Sequence, residues 1–217
     1  MFSTVGNVKT ASYEVNSVQN KKIIIDAGHG GFDGGAEALD GTLEKDINLK
    51  IALKLKEFCK LYGFEVIMTR ETDSGTEKDD TASIASRKKS DMYRRLNVIT
   101  ENPDAIFVSI HLNKFTSSGP YGAQVFYSGN NTNSQLLAEH IQLSVKNNLQ
   151  KDNNRVIKKA DSSIFLLKKS HIPSIIVECG FLSNQNDLKL LKLEEYQAKM
   201  AYSIFCGILD YYLQENI

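Results

Sequence analysis

No stretch of the sequence reaches the roughly 18 consecutive apolar residues that a membrane-spanning helix needs. Met1 to Asn20 is polar and lacks the apolar centre of a secretory signal. The chain as it stands is expected to be soluble and not membrane-spanning. An excess of one charge is missing too: 26 basic residues face 26 acidic ones, so no global field draws the protein to nucleic acid or an anionic membrane. Cysteine is scarce. Cys59, Cys179 and Cys206 cannot all pair with one another and show no C-x-x-C spacing, which argues against a disulfide scaffold and a thiolate zinc site and for small buried hydrophobes. Internal repeats, low-complexity tracts and a compact H-E-x-x-H are all absent.

What is present suits one sizeable core. With 217 residues and 41% hydrophobic content, the chain fits a single α/β domain, expected over residues 21–217 behind a loosely ordered arm at 1–20. The predicted architecture is a twisted, mostly parallel sheet of about five or six strands with helices on both faces. Ile23 to Ile25 form the most apolar early run, as befits a strand buried on both sides, and they lead into Gly28-His29-Gly30-Gly31-Phe32-Asp33-Gly34-Gly35. This loop is open to two readings, a phosphate cradle or a seat for a metal-binding imidazole. Against the first, Asp33 stands where the third glycine of G-x-G-x-x-G belongs, and its charge would repel a pyrophosphate.

Apolar residues at Leu43, Ile47, Ile51, Leu55 and Phe58 predict a long helix stopped by Gly63, followed by a strand at 64–68. Residues 69–83 are polar and acidic, an expected exposed loop. Ile84 to Glu101 reads as a helix with a basic side. Its Arg95 is a candidate for reaching an anionic substrate group, against the plainer reading of a solvated face. A strand at 105–110 runs into His111-Leu112-Asn113. A further strand is expected at 122–127, a helix at 134–149, a polar connection at 151–163, a strong strand at 174–179 and a terminal helix at 194–213.

Three apolar strands thus finish in His29, His111 and Glu178, and strand ends of a parallel sheet converge on one edge. Glu44, at the start of the first helix, is a fourth candidate. Two histidines and one carboxylate make a catalytic zinc shell with a position left for water, and a second carboxylate off the metal can take that water's proton. The same residues can also be hydrogen-bonded edge residues with no ligand. His140 and His171 are read as surface or structural.

Four segments carry a resemblance: Ile25-Asp26-Ala27-Gly28-His29-Gly30-Gly31 with Asp33-Gly34-Gly35-Ala36, then Leu43-Glu44-Lys45-Asp46, Ser109-Ile110-His111-Leu112-Asn113, and Val177-Glu178-Cys179-Gly180-Phe181-Leu182-Ser183-Asn184. From about Lys22 onward the chain resembles the zinc-dependent N-acetylmuramoyl-L-alanine amidases of the type 3 family. Gly122 to Tyr127 and Ile164 to Leu167 make it most similar to the spore-cortex, germination-specific branch. The resemblance implies one Zn²⁺ held by His29, Glu44 and His111, with Glu178 as catalytic carboxylate. It also implies cleavage of the muramic acid to L-alanine amide in peptidoglycan, as a step toward muramic lactam. Asn113 would hydrogen-bond substrate or orient the His111 loop. Location would be extracytoplasmic, at the cell wall or spore cortex, with a leader removed from the chain and a protein partner available for localisation. Ala27 departs from the proline of many relatives, which should loosen the turn without removing a ligand.

Three rivals remain. A Cys/His hydrolase would use Cys179, but adjacent strand residues face opposite ways, so Glu178 and Cys179 should not share a pocket. A metallocarboxypeptidase-like enzyme would hold its first histidine and glutamate ligands close together in sequence, unlike His29 and Glu44. A non-catalytic wall-binding or regulatory module of the same fold would not need all four site residues.

Overall fold

The structure is a computed structural model, and it describes residues 18–74 and 83–214. A six-stranded sheet forms its centre, from β1 (Lys22–Ala27), β2 (Glu65–Met68), β3 (Ala105–Asn113), β4 (Gln124–Tyr127), β5 (Lys158–Lys159) and β6 (Ser174–Phe181). The strand order is β2-β1-β3-β6-β4-β5. The first four strands in that order run parallel, β4 lies antiparallel to β6, and β5 pairs parallel to β4. The helices are α1 (Glu44–Leu61) and α2 (Ile84–Thr100), which carry the β1–β2 and β2–β3 crossovers, α3 (Asn133–Asn148), α4 (Phe165–Lys169), and α5 (Gln185–Leu191) and α6 (Glu194–Gln214), which follow the last strand.

Strand alternation sorts the core into two faces. Ile23, Ile25, Val108, Ile110, Val125, Ile175 and Val177 point toward α1, α3 and α6, where Ile47, Ile51, Leu55, Leu137, Ile141, Ile204 and Ile208 meet them. Ile24, Phe107 and Ile176 point the other way, onto Ile99 of α2 and Leu166 and Leu167 of α4. Both faces are dry, which is why β1, β3 and β6 read as continuous apolar runs instead of alternating ones. The second face has the thinner cover. On it, past the apolar residues, stand Asp26, Ser109, His111 and Glu178, in step with Ile24, Phe107 and Ile176 by the two-residue period.

Several expectations are adjusted. Val18 is fully buried in the main core, so ordered structure starts before Lys21; residues 1–17 of the expected arm lie outside the described residues. So do residues 75–82, including Glu77, Asp79 and Asp80 of the expected acidic loop. β3 and β6 run on to Asn113 and Phe181, which puts His111 and Glu178 within strands and not in the loops after them. The polar connection at 151–163 holds the two-residue β5, and α4 and α5 were not anticipated.

Candidate metal centre

His29 lies two residues past β1, with a left-handed φ of 61°. Its Nδ1 donates to Asp33 Oδ2 at 2.8 Å, which leaves Nε2 facing Glu44 Oε2 at 3.2 Å. An imidazole pinned by a carboxylate on one nitrogen is the usual companion of metal ligation through the other. Lys88 Nζ lies 2.9 Å from Asp33 Oδ1 and balances that carboxylate.

Glu44 opens α1, where the helix dipole favours a negative side chain. It is 4% exposed and nearly saturated: Oε1 accepts from Leu112 N (3.0 Å) and Asn48 Nδ2 (3.2 Å), and Oε2 accepts from Ala36 N (2.9 Å). His111 Nδ1 stands 2.9 Å from Glu44 Oε1. The two imidazole rings meet edge to face with centroids 5.0 Å apart. Two glycines make this approach possible. A Cβ on Gly28 would lie 2.3 Å from His111 Nε2, and one on Gly35, at φ 69°, would lie 2.6 Å from Glu44 Oε2.

The charges follow from the packing. Burial opposes the charge on His29, but its bonds to Asp33 and Glu44 push it up to about 9. Burial likewise opposes ionisation of Glu44, and the two histidines overcome it and hold the carboxyl well below its ordinary range. Glu178 has no such partner. Burial, with Glu44's charge adding, pushes it up to about 7 against the opposing pull of His111 and His29. Its Oε2 is sealed from solvent without a hydrogen-bond partner among the described residues.

One ligand atom from each of His29, Glu44 and His111 lies within 4.8 Å of the others, so the three can hold a metal ion. Ligands about 2.0–2.1 Å from a tetrahedral zinc stand about 3.4 Å apart, and the His29 to Glu44 contact is already close to that. Two neutral imidazoles and one carboxylate leave a divalent ion with a net positive charge, and an unpaired carboxylate beside it fits the same arrangement. The donor set therefore fits a zinc-type cation.

The other predicted residues fall differently. Glu178 is brought to the cleft that His29 and His111 line, beneath a wall formed by Met92, Phe165 and Ile176. Cys179 faces the opposite side and is wholly buried in the main core, as strand alternation required. Arg95 corrects the plainer reading: it is 1% exposed and so is not a solvated face residue, and it lies in the lining of the cleft with His29, His111 and Glu178. It pairs with Asp26, donates to Asp91 Oδ2 at 2.8 Å, and holds the carbonyls of Ala27 (3.0 Å) and His29 (2.8 Å). Asn113 ends β3, where its carbonyl accepts from Leu182 N at 2.8 Å; it does not line the cleft. His140 is half-buried and His171 exposed, both away from the cluster.

Residues that sequence reasoning passed over complete the site: Asp26, Asp33, Asn48 and Arg70. Asp26 carried a usable signal, since a carboxylate inside a strand buried on both faces must find partners. It finds Arg95, Ser109 Oγ (2.5 Å) and Thr69 Oγ1 (2.7 Å).

Fold and site together define an α/β domain with a metallohydrolase-type donor set at one end of its parallel strands. The chain belongs to the N-acetylmuramoyl-L-alanine amidase family, whose sequence model matches residues 23–210. It is 35% identical over 199 residues to the germination-specific N-acetylmuramoyl-L-alanine amidase of Bacillus subtilis (strain 168), covering 92% of this chain and 83% of that protein. Among solved structures, it is similar to the CwlD amidase of Clostridioides difficile, determined in complex with the GerS lipoprotein: TM-score 0.85, 46% identity, 88% of this chain and 98% of that one. The amidase AmiC2 of Nostoc punctiforme matches with TM-score 0.74 and 31% identity, over 89% of this chain and 97% of that one.

Proposed function

We propose that the protein is a zinc-dependent amidase that cleaves the bond between the lactyl group of N-acetylmuramic acid and L-alanine in spore-cortex peptidoglycan, outside the cytoplasm, as a step toward muramic lactam. The observation that carries this reading is the His29, Glu44 and His111 cluster with the unpartnered carboxylate oxygen of Glu178 beside it. The germination-specific and CwlD relatives support the cortex assignment. The lipoprotein bound to CwlD supports a protein partner for localisation.

His29, Glu44 and His111 would hold the ion, which when bound supplies a Lewis acid for the amide carbonyl and lowers the pKa of a water molecule. Glu178 removes a proton from the attacking water as its oxygen bonds to the lactyl carbon. The carbon to nitrogen bond then breaks, and the Glu178 carboxyl returns the proton to the L-alanine nitrogen. Burial that raises the proton affinity of Glu178 above an ordinary carboxyl's suits the return of the proton. Asp33 keeps His29 oriented throughout, and the apolar wall of Met92 and Phe165 limits water around the reacting bond.

The test is mass analysis of cortex-type muropeptides incubated with zinc-loaded protein. Release of intact stem peptide with a free L-alanine amine supports the proposal; release of a carboxy-terminal residue would support the carboxypeptidase-like alternative, and no turnover a non-catalytic module.

A further inference from the structure

Three successive carbonyls, those of Ala27, Gly28 and His29, are held by side chains reaching in from other elements. Arg95 takes the first and third. Arg70 Nε donates to Ala27 O at 2.9 Å and its Nη2 to Gly28 O at 3.0 Å. That same Nη2 donates to Lys45 O at 2.8 Å, the residue after Glu44 in the first turn of α1, and Nη1 donates to Thr72 O at 3.1 Å. One guanidinium therefore fastens the backbone under His29 to the backbone beside Glu44.

The arrangement is costly for packing alone. Arg70 is 5% exposed, and its four hydrogen bonds all go to backbone carbonyls, with no carboxylate among its partners in the described residues. Burial, and then the neighbouring charge of Arg95, lowers its affinity for the proton. A buried cation without a counter-ion in contact opposes folding, and an apolar side chain of the same length would fill the volume without that penalty.

We infer that Arg70 is a positioning residue: by bridging Gly28 O and Lys45 O it sets the separation of the His29 imidazole from the Glu44 carboxylate, and hence the affinity and geometry of the metal site. The inference rests on the metal-site reading above. His29 sits at φ 61°, a conformation that a residue with a Cβ holds only when its surroundings impose it. Asn48 Nδ2 of α1 also spans Gly28 O and Glu44 Oε1, each at 3.2 Å, but with a single nitrogen; without the Arg70 fork the Gly28 backbone loses its tie to the Lys45 carbonyl, and His29 Nε2 drifts from its 3.2 Å approach to Glu44 Oε2. Lysine cannot replace the bridge, because one ammonium on a flexible stem does not present a planar fork to two carbonyls.

The experiment titrates metal-free wild type, Arg70→Lys, Arg70→Met and His111→Ala with zinc and with cobalt(II), recording the visible spectrum of the cobalt form and near-ultraviolet circular dichroism as a check on folding. Arg70→Lys, which keeps charge and most of the volume and is expected to fold, should bind both ions at least about tenfold more weakly than wild type, with a changed cobalt spectrum. Arg70→Met should bind more weakly still; if it does not fold, Arg70→Lys decides. A folded Arg70→Lys with wild-type affinity and a wild-type cobalt spectrum overturns the inference, even if its melting temperature falls, since that marks a merely structural arginine. If wild type takes up no metal, or His111→Ala binds as wild type does, the metal-site reading itself fails and takes the inference with it.

Discussion

His111 on β3 and Glu178 on β6 are register partners on neighbouring parallel strands, so one strand pairing sets a candidate ligand beside the candidate base. Their roles nonetheless differ. His111 contacts Glu44, whereas Glu178 keeps an oxygen without a hydrogen bond. Glu178→Gln should therefore retain fold and bound zinc while losing about a hundredfold to ten-thousandfold in turnover, the usual worth of a positioned general base. Turnover at the normal rate with zinc still bound would remove Glu178 from that role.

His111→Ala should fold and lose stoichiometric zinc, as read by elemental analysis after gel filtration. A variant that still carries one ion per chain would take His111 out of the ligand set.

Iodoacetamide should leave activity intact and a chelator should abolish it, with zinc restoring it. Cys179 is wholly buried, and burial with the charge of Glu178 raises its thiol well above the ordinary range, so no thiolate is at hand for nucleophilic attack.

Gly28→Ala should weaken zinc binding and cost about 1–3 kcal/mol in stability, because the new methyl must displace the His111 ring, 2.3 Å from its ideal position. Denaturant melts and zinc titration measure the two effects separately. Wild-type values for both would show that the ring shifts without consequence.

The pair of Asp26 and Arg95 makes a pH prediction. Burial opposes ionisation of Asp26, but Arg95, Ser109 and Thr69 prevail and lower its pKa from 3.8 to about 2. A folded-state value below the unfolded one means that this stabilisation is complete above pH 3.8 and is lost as pH falls toward 2. Its size is about 2 kcal/mol. Asp26→Asn should flatten that part of the stability profile and, by leaving Arg95 short of a counter-charge, destabilise the protein by about 3–5 kcal/mol at neutral pH. An unchanged acid limb in the variant would contradict the assignment.

Much of the fold is legible because parallel strands buried on both faces read as unbroken β-branched runs, as at Ile23 to Ile25 and Ile175 to Val177, and long helices such as α1 and α6 show their period. α4, with five residues, and β5, with two, are too short to show one. Their positions are set by packing against α2 and β4. His29, His111 and Glu178 stood out because polar chemistry directly follows apolar strands. The burial of Arg95 was not legible for a physical reason: helix periodicity assigns a cation to solvent, and it takes Asp26, from a strand distant in sequence, together with Asp91 of the same helix to hold this one inside. Arg70 looked like an ordinary loop residue, since its partners are carbonyls that any sequence possesses.

The central claim is that the cluster cleaves the bond between muramic acid and L-alanine. Its most direct test is the mass of products from purified cortex-type muropeptides after incubation with zinc-loaded wild type and Glu178→Gln. Wild type should release the intact stem peptide with a free L-alanine amine and leave the lactyl carboxylate on the glycan, and Glu178→Gln should release almost none. Intact muropeptides, or products trimmed only at the carboxyl end of the peptide, would contradict the account.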